Sequence, residues 1–294
     1  MMKKWMIILV VFIFIGLMLT KYSPISLDGK IRTGFAKQDR VIDDKDEVAG
    51  ENEVLIKAKQ SDIYQGNLLL INKDYPLVPG SEAQDIVKLS DYSDFSSQIV
   101  LLDRSLSLSQ DIAERFLTMV EEAKQAGVNH FMASSGYRTN EEQDALYAQK
   151  GAEYAMPAGY SEHNLGLALD VGSTQSGIAQ SAEGDWLQDN AWKYGFVLRY
   201  PKNKQDITGI KFEPWHFRYV GLPHSAIMKE NDMVLEEYLE ALRDAPLSIM
   251  IDGQKYTVRY HPMLDDKKIA VPEHSDYTLS GNNVDGVIVT ERNK

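Results

Sequence analysis

Leu165-Gly166-Leu167-Ala168-Leu169-Asp170 sets three leucines at every second position, with Gly, Ala and Asp between them. Successive side chains of an extended strand point to opposite faces, so the run buries its leucines on one side and must present its carboxylate on the other. A later segment, Trp215-His216-Phe217-Arg218-Tyr219-Val220, alternates in the same sense. There His216 shares a face with Arg218, and the aromatic residues form the packed side. Two half-buried strands that each carry a metal-ligating side chain on the polar face constrain the fold strongly, because the sheet has to bring those faces together.

The polar residues of these strands belong to a larger pattern. Ser161, His163, Gly166, Ala168 and Asp170 form an S-x-H-x-x-G-x-A-x-D run, and Glu213-Pro214-Trp215-His216 follows further along the chain. His163, Asp170 and His216 supply two imidazoles and one carboxylate, three ligands for one zinc ion with the fourth tetrahedral position open to water. Gly166 and Ala168 are expected to leave open volume beside Asp170 for the metal, and His163 falls on the loop entering the strand. Glu213 is a spare carboxylate where a general base for that water is needed. Residues i and i+3 of one strand face opposite ways, but Pro214 restricts the backbone and favours a bend. Glu213 is therefore placed on the turn before the strand, near the metal without binding it. This is a hydrolase signature; a structural zinc site in a non-catalytic wall-binding module would close with four protein ligands. His130, His224, His261 and His274 stand in no comparable string and read as structural.

Composition limits the alternatives. Cysteine is absent, which removes disulfides, thiolate metal ligands and a Cys nucleophile. The net charge is -12, from 31 Lys+Arg against 43 Asp+Glu, so nucleic acid is not an expected partner. Lys3 and Lys4 precede an apolar stretch from Trp5 to Leu19, a charge order that keeps the start cytoplasmic and sends the rest outward. Residues 1–21 read as a signal anchor, because no small-x-small cleavage site follows closely; a cleaved signal peptide is the alternative. The expected location is the cell membrane, single-pass with an extracellular body, or secretion if the segment is cleaved. Residues 22–53 mix Ser, Gly, Pro and alternating charge without apolar periodicity and read as a flexible linker.

The folded body is expected over residues 54–245, with an α+β architecture: a small antiparallel sheet carrying the zinc site and helices packed around it. Asn67–Asn72 reads as a buried strand and Phe131–Ser135 as another. Ile112, Phe116, Met119, Val120 and Ala123 recur at helical spacing between Ser109 and Ala126, and Gly127 stops the run. A second helix starts with Thr139 or Asn140 as N-cap. Residues 246–294 form a small β appendage: strands from Ser248 and from Lys255 flank an Asp252-Gly253 turn, and Val284–Thr290 adds a further strand.

Three ordered strings, Ser135-Gly136-Tyr137-Arg138-Thr139, the Ser161 to Asp170 run, and Glu213-x-Trp215-His216, resemble the VanY type of zinc D,D-carboxypeptidase. Asn67 to Pro76 and Asp185 to Pro201 are also similar to that pattern, so the likeness covers about residues 60 to 240. It implies that His163, Asp170 and His216 bind zinc and that Glu213 deprotonates water and passes the proton to the leaving amine. Arg138 would stabilise the carbonyl oxyanion or hold the terminal carboxylate, a task a planar guanidinium suits. Gln143 and Ser161 match positions that contact the substrate terminus. The implied substrate is a peptidoglycan pentapeptide stem or its lipid-linked precursor, from which D-alanine or D-lactate is removed, an activity that supports glycopeptide resistance. An L,D-carboxypeptidase trimming tetrapeptides and an endopeptidase acting within crosslinks share the same metal motif.

Overall fold

The computed structural model describes residues 46–151 and 155–293. The expected anchor, residues 1–21, and all but the end of the linker lie outside them. Among the described residues no helix is long and apolar enough to cross a membrane.

The strands are, in chain order, β1 (Glu53–Ala58), β2 (Ile86–Lys88), β3 (Val100–Leu101), β4 (Ser107–Ser109), β5 (Phe131–Ser135), β6 (Ala168–Ser173), β7 (Phe196–Leu198), β8 (His216–Tyr219), β9 (Leu247–Ile251), β10 (Gln254–Pro262), β11 (Lys267–Pro272), β12 (Asp276–Gly281) and β13 (Gly286–Arg292). The central sheet has the order β3-β5-β6-β8-β7. Its ladders are antiparallel except between β3 and β5, which run parallel, so the sheet is mixed rather than wholly antiparallel.

Helix Gln110–Gln125 covers this sheet. The Ser109 hydroxyl caps it by accepting from the Ile112 amide, and its Ile112, Phe116, Met119, Val120 and Ala123 are buried. They pack with Phe131, Leu169, Val171 and Phe217 in one apolar core. Gly127 ends the helix region at φ +82°.

Two strand expectations change. Leu68–Ile71 is buried but irregular, with no ladder partner. Leu69 and Ile71 enter the core of the central sheet, whereas Leu68 and Leu70 enter a second core against the C-terminal region. A ribbon between two cores needs apolar residues on both faces, which is the pattern of a buried strand; its backbone is instead satisfied by Arg218, Ser280, Asn282 and Asn283. The leucine-alternating strand begins at Ala168 instead of Leu165, because Glu162–Leu165 forms a 3-10 turn ended by Gly166 at φ +77°. The three leucines nevertheless all reach the core. Gly166 serves this left-handed turn, and a Cβ there would stand 2.5 Å from Ile86 Cδ1, so it opens no volume for a metal.

The C-terminal region is a four-stranded antiparallel sheet, β12-β13-β10-β9, joined by a β1-β11 ladder. Asp252 and Gly253 both have positive φ, as a two-residue hairpin turn requires. The sequence reading lacks β11 and β12: β12 is a polar edge strand, and β11 dilutes its apolar Ile269 and Val271 with lysines. Helix Leu235–Asp244 buries Leu235, Tyr238, Leu239 and Leu242 against Leu247, Ile249, Ile251 and Val258, fixing the sheet to the preceding part of the fold. Glu47, at the end of the linker, accepts from Ala270 N at 2.8 Å and pairs with His261 at 2.9 Å.

Candidate active site

The antiparallel register of β6 and β8 sets Asp170 directly opposite His216. Asp170 Oδ1 lies 3.1 Å from His216 Nδ1, and 3.4 Å from His163 Nε2 on the 3-10 turn that leads into β6. A tetrahedral ion with bonds of about 2.0–2.1 Å has ligand–ligand edges of about 3.4 Å, so these separations suit zinc. One ligand atom from each of the three residues lies within 4.8 Å of the others.

Hydrogen bonds at the far side of each ring fix which nitrogen is free. His163 Nδ1 lies 2.7 Å from the Gly136 carbonyl and donates to it, which turns the Nε2 lone pair toward Asp170. His216 is held the other way round: Nε2 donates to Glu162 Oε2 at 3.3 Å and leaves Nδ1 for the metal side. Gly136 makes its own contact possible, since a Cβ there would meet the Ser107 carbonyl oxygen at 2.3 Å.

The electrostatics favour a cation. Burial works against charge on His216, yet the hydrogen bonds and negative field of Asp170 and Glu162 outweigh it and lift the imidazole to about 9. Burial dominates at His163 and lowers its pKa against the pull of Asp170. Burial also opposes ionisation of Asp170, but the two histidines hold its carboxyl far below the ordinary range.

Glu213 and His216 are the ends of a tight turn, closed by the His216 amide donating to the Glu213 carbonyl at 3.2 Å, with Pro214 at its second position. The turn brings Glu213 Oε2 to 3.8 Å from His216 Nδ1, beside the ligand cluster. Burial raises the Glu213 pKa and Asp170 adds to the rise, while His216 and Arg138 oppose it. Trp215 departs from the expected packed side and is 40% exposed, because it occupies the turn ahead of β8; Phe217 and Tyr219 do pack.

The Arg138 backbone is laced to the turn that carries His163: its amide donates to the His163 carbonyl at 3.1 Å, and its carbonyl accepts from Asn164 Nδ2 at 2.8 Å. Its guanidinium makes no ion pair among the described residues, and Nε lacks a hydrogen-bond partner. Burial lowers its pKa against the pull of Asp170 and Glu213. Gln143, on helix Asn140–Lys150, is 1% exposed and donates to the Met156 carbonyl at 2.6 Å, which leaves Oε1 without a partner among the described residues. That free atom is an acceptor and suits a substrate N–H rather than a carboxylate. The Ser161 hydroxyl accepts from the His163 amide and caps the 3-10 turn.

Sequence reasoning missed Glu162, Arg199 and the full part played by Arg218. Glu162 Oε1 accepts from Arg199 Nε and Arg218 Nη1, each at 2.8 Å, and all three side chains have zero exposure. The available signal was Arg218 on the same strand face as His216, since a guanidinium turned into a core needs a carboxylate partner. His224 and His261 bond to Tyr238 and Glu47, away from this cluster.

The family model for VanY, D-alanyl-D-alanine carboxypeptidase, matches residues 105–222. A D-alanyl-D-alanine carboxypeptidase of Enterococcus faecium is 52% identical over 79% of this chain and 77% of that protein. Among solved structures, the vancomycin-resistance D,D-dipeptidase VanXYg, in complex with a D-Ala-D-Ala phosphinate analogue, is similar with a TM-score of 0.71. It is 33% identical and covers 82% of this chain and 99% of that one. The LD-carboxypeptidase LdcB is similar with a TM-score of 0.53 and 34% identity, over 62% and 88% of the two chains.

Proposed function

Because the chain belongs to the VanY family of D-alanyl-D-alanine carboxypeptidases, we propose that its His163–Asp170–His216 centre hydrolyses the last peptide bond of peptidoglycan pentapeptide stems. The enzyme is a zinc-dependent D,D-carboxypeptidase that releases the terminal D-alanine and so removes the D-alanyl-D-alanine ends on which glycopeptides act. The observation that carries this reading is the donor set: two oriented imidazole nitrogens and one carboxylate at tetrahedral spacing, with a further carboxylate alongside.

When bound, zinc supplies a Lewis acid that polarises the scissile carbonyl and makes water acidic enough to ionise near neutral pH. The chain's residues divide the remaining work. Glu213, raised above an ordinary carboxylate by burial, takes the proton from the attacking water and passes it to the leaving amine. Arg138, whose guanidinium makes no ion pair among the described residues, faces the developing oxyanion or the terminal carboxylate. Gln143 Oε1 is available to a substrate N–H, and Ser161, whose hydroxyl caps the turn that carries His163, lies at a position that meets the substrate terminus. On this reading residues 22–53 hold a catalytic body, residues 54–245, away from a membrane anchor at residues 1–21, and residues 246–294 complete the fold. The charge order at Lys3 and Lys4 supports an extracellular site of action.

Mass spectrometry of products from defined pentapeptide and tetrapeptide stems tests the reaction. Loss of one alanine from the pentapeptide is expected; loss from the tetrapeptide alone would make the enzyme an L,D-carboxypeptidase. Chelation should abolish the release and zinc should restore it, whereas hydrolysis indifferent to metal removal would sink the metallopeptidase reading.

A further inference from the structure

We infer that Glu162 is a positioning residue for His216, holding the imidazole so that Nδ1, and no other ring atom, is offered to the metal. The inference rests on His216 being a ligand and goes one layer deeper. Glu162 Oε2 receives the ring Nε2–H at 3.3 Å, and no other hydrogen bond among the described residues reaches that nitrogen. Its second oxygen is occupied by Arg199 and Arg218, so the carboxylate cannot turn away from the ring without breaking two charged hydrogen bonds.

Each guanidinium is immobilised in turn. Arg199 makes a bidentate pair with Glu236, at 2.8 and 2.7 Å, on helix Leu235–Asp244. Arg218 donates to the Asn67 and Leu69 carbonyls at 2.9 and 3.1 Å and to the Tyr219 carbonyl at 3.1 Å. Two carboxylates and two guanidiniums neutralise one another in the core, and the ring nitrogen takes the Glu162 oxygen that the guanidiniums leave free. A carboxylate so placed also makes the imidazole a more basic ligand.

The test is zinc affinity of the folded protein, by chelator competition, together with the visible spectrum of the cobalt-substituted protein. Glu162→Gln keeps the shape but can satisfy either the ring or the two guanidiniums, not both. Zinc affinity about 10- to 100-fold weaker and an altered cobalt spectrum are expected. Glu236→Gln breaks the same network at its far end; it should lower thermal stability yet hold zinc affinity within about threefold. Wild-type zinc affinity in Glu162→Gln, or an equal loss in Glu236→Gln, would overturn the inference. If Glu162→Gln does not fold, Glu162→Asp, which retracts the carboxylate by one methylene, takes its place with the same expectation. His216→Ala separates the two layers: zinc binding unaffected there would refute the ligand assignment itself, not merely the role of Glu162.

Discussion

Glu213 and Arg138 sit at the same cluster with opposite needs. Glu213 must be ionised to take a proton yet lies in surroundings that raise its pKa, burial first and Asp170 second. Glu213→Gln removes the proposed base and leaves His163, Asp170 and His216 in place, so the protein should bind one zinc and lose about 10²- to 10⁴-fold in turnover. Metal analysis beside D-alanine release checks this, and normal hydrolysis by the zinc-loaded variant would refute the assignment. Arg138→Lys keeps the charge but loses the planar fork, so kcat/KM should fall about 100-fold or more. Parallel loss of kcat identifies oxyanion contact, and a rise in KM alone identifies the carboxylate role. His163, Asp170 and His216 are legible because they stand in distinctive strings that set each imidazole near a carboxylate. Glu162 is not, although it is the immediate neighbour of His163: nothing in S-x-H tells which side of a 3-10 turn the intervening residue faces. Trp215 was misplaced for a related reason, since alternation was extended one residue into a turn.

Periodicity revealed elements where one face is buried and failed where both are or neither is. Helix Gln110–Gln125 and the strand β5 carry the apolar stripe that the periodicity predicts, and β8 is legible because its two buried faces differ in chemistry, His216 and Arg218 against Phe217 and Tyr219. Leu68–Ile71 has two buried faces and no ladder, and β12 has little burial at all, so pattern alone could not assign either. Capping chemistry, by contrast, is local and survives any tertiary context. Thr139 accepts from the Glu142 amide at 3.2 Å, and the Glu142 side chain accepts from the Thr139 amide at 2.9 Å, a reciprocal box at the start of helix Asn140–Lys150. Because Arg138 directly precedes this cap, the box also anchors the loop that carries it. Thr139→Ala should cost about 1 kcal/mol. That corresponds to a fall in Tm of about 2–4 °C for a body of this size, and calorimetry showing no shift would refute the contribution of the cap.

At the scale of the whole molecule, the C-terminal sheet is built into the catalytic body. It supplies Leu247, Ile249, Ile251, Val258 and Ile288 to the second core, and Asn282 and Asn283 hold the Leu70 backbone beside the carbonyls that Arg218 uses. Its seam with the body is closed by His224, from helix His224–Glu230, whose Nδ1 lies 2.7 Å from the Tyr238 hydroxyl and whose Nε2 lies 3.3 Å from Thr290 Oγ1 on β13. Both partners are neutral, so burial alone acts on the imidazole and pushes it down to about 3. An unfolded chain takes up this proton near pH 6.5, whereas the native protein refuses it until about pH 3. Between those values the unfolded state binds more protons, so the contribution is complete above about pH 6.5 and is lost as pH falls, at up to about 1.4 kcal/mol per unit. His224→Gln can bond to both hydroxyls without titrating. In metal-free protein, where the site histidines are common to both forms, urea unfolding at about pH 7 and about pH 5 should show wild type losing about 2 kcal/mol more than the variant. An equal loss in the two proteins would mean that His224 is protonated in the folded state, and that the seam opens to water while the rest of the molecule stays folded.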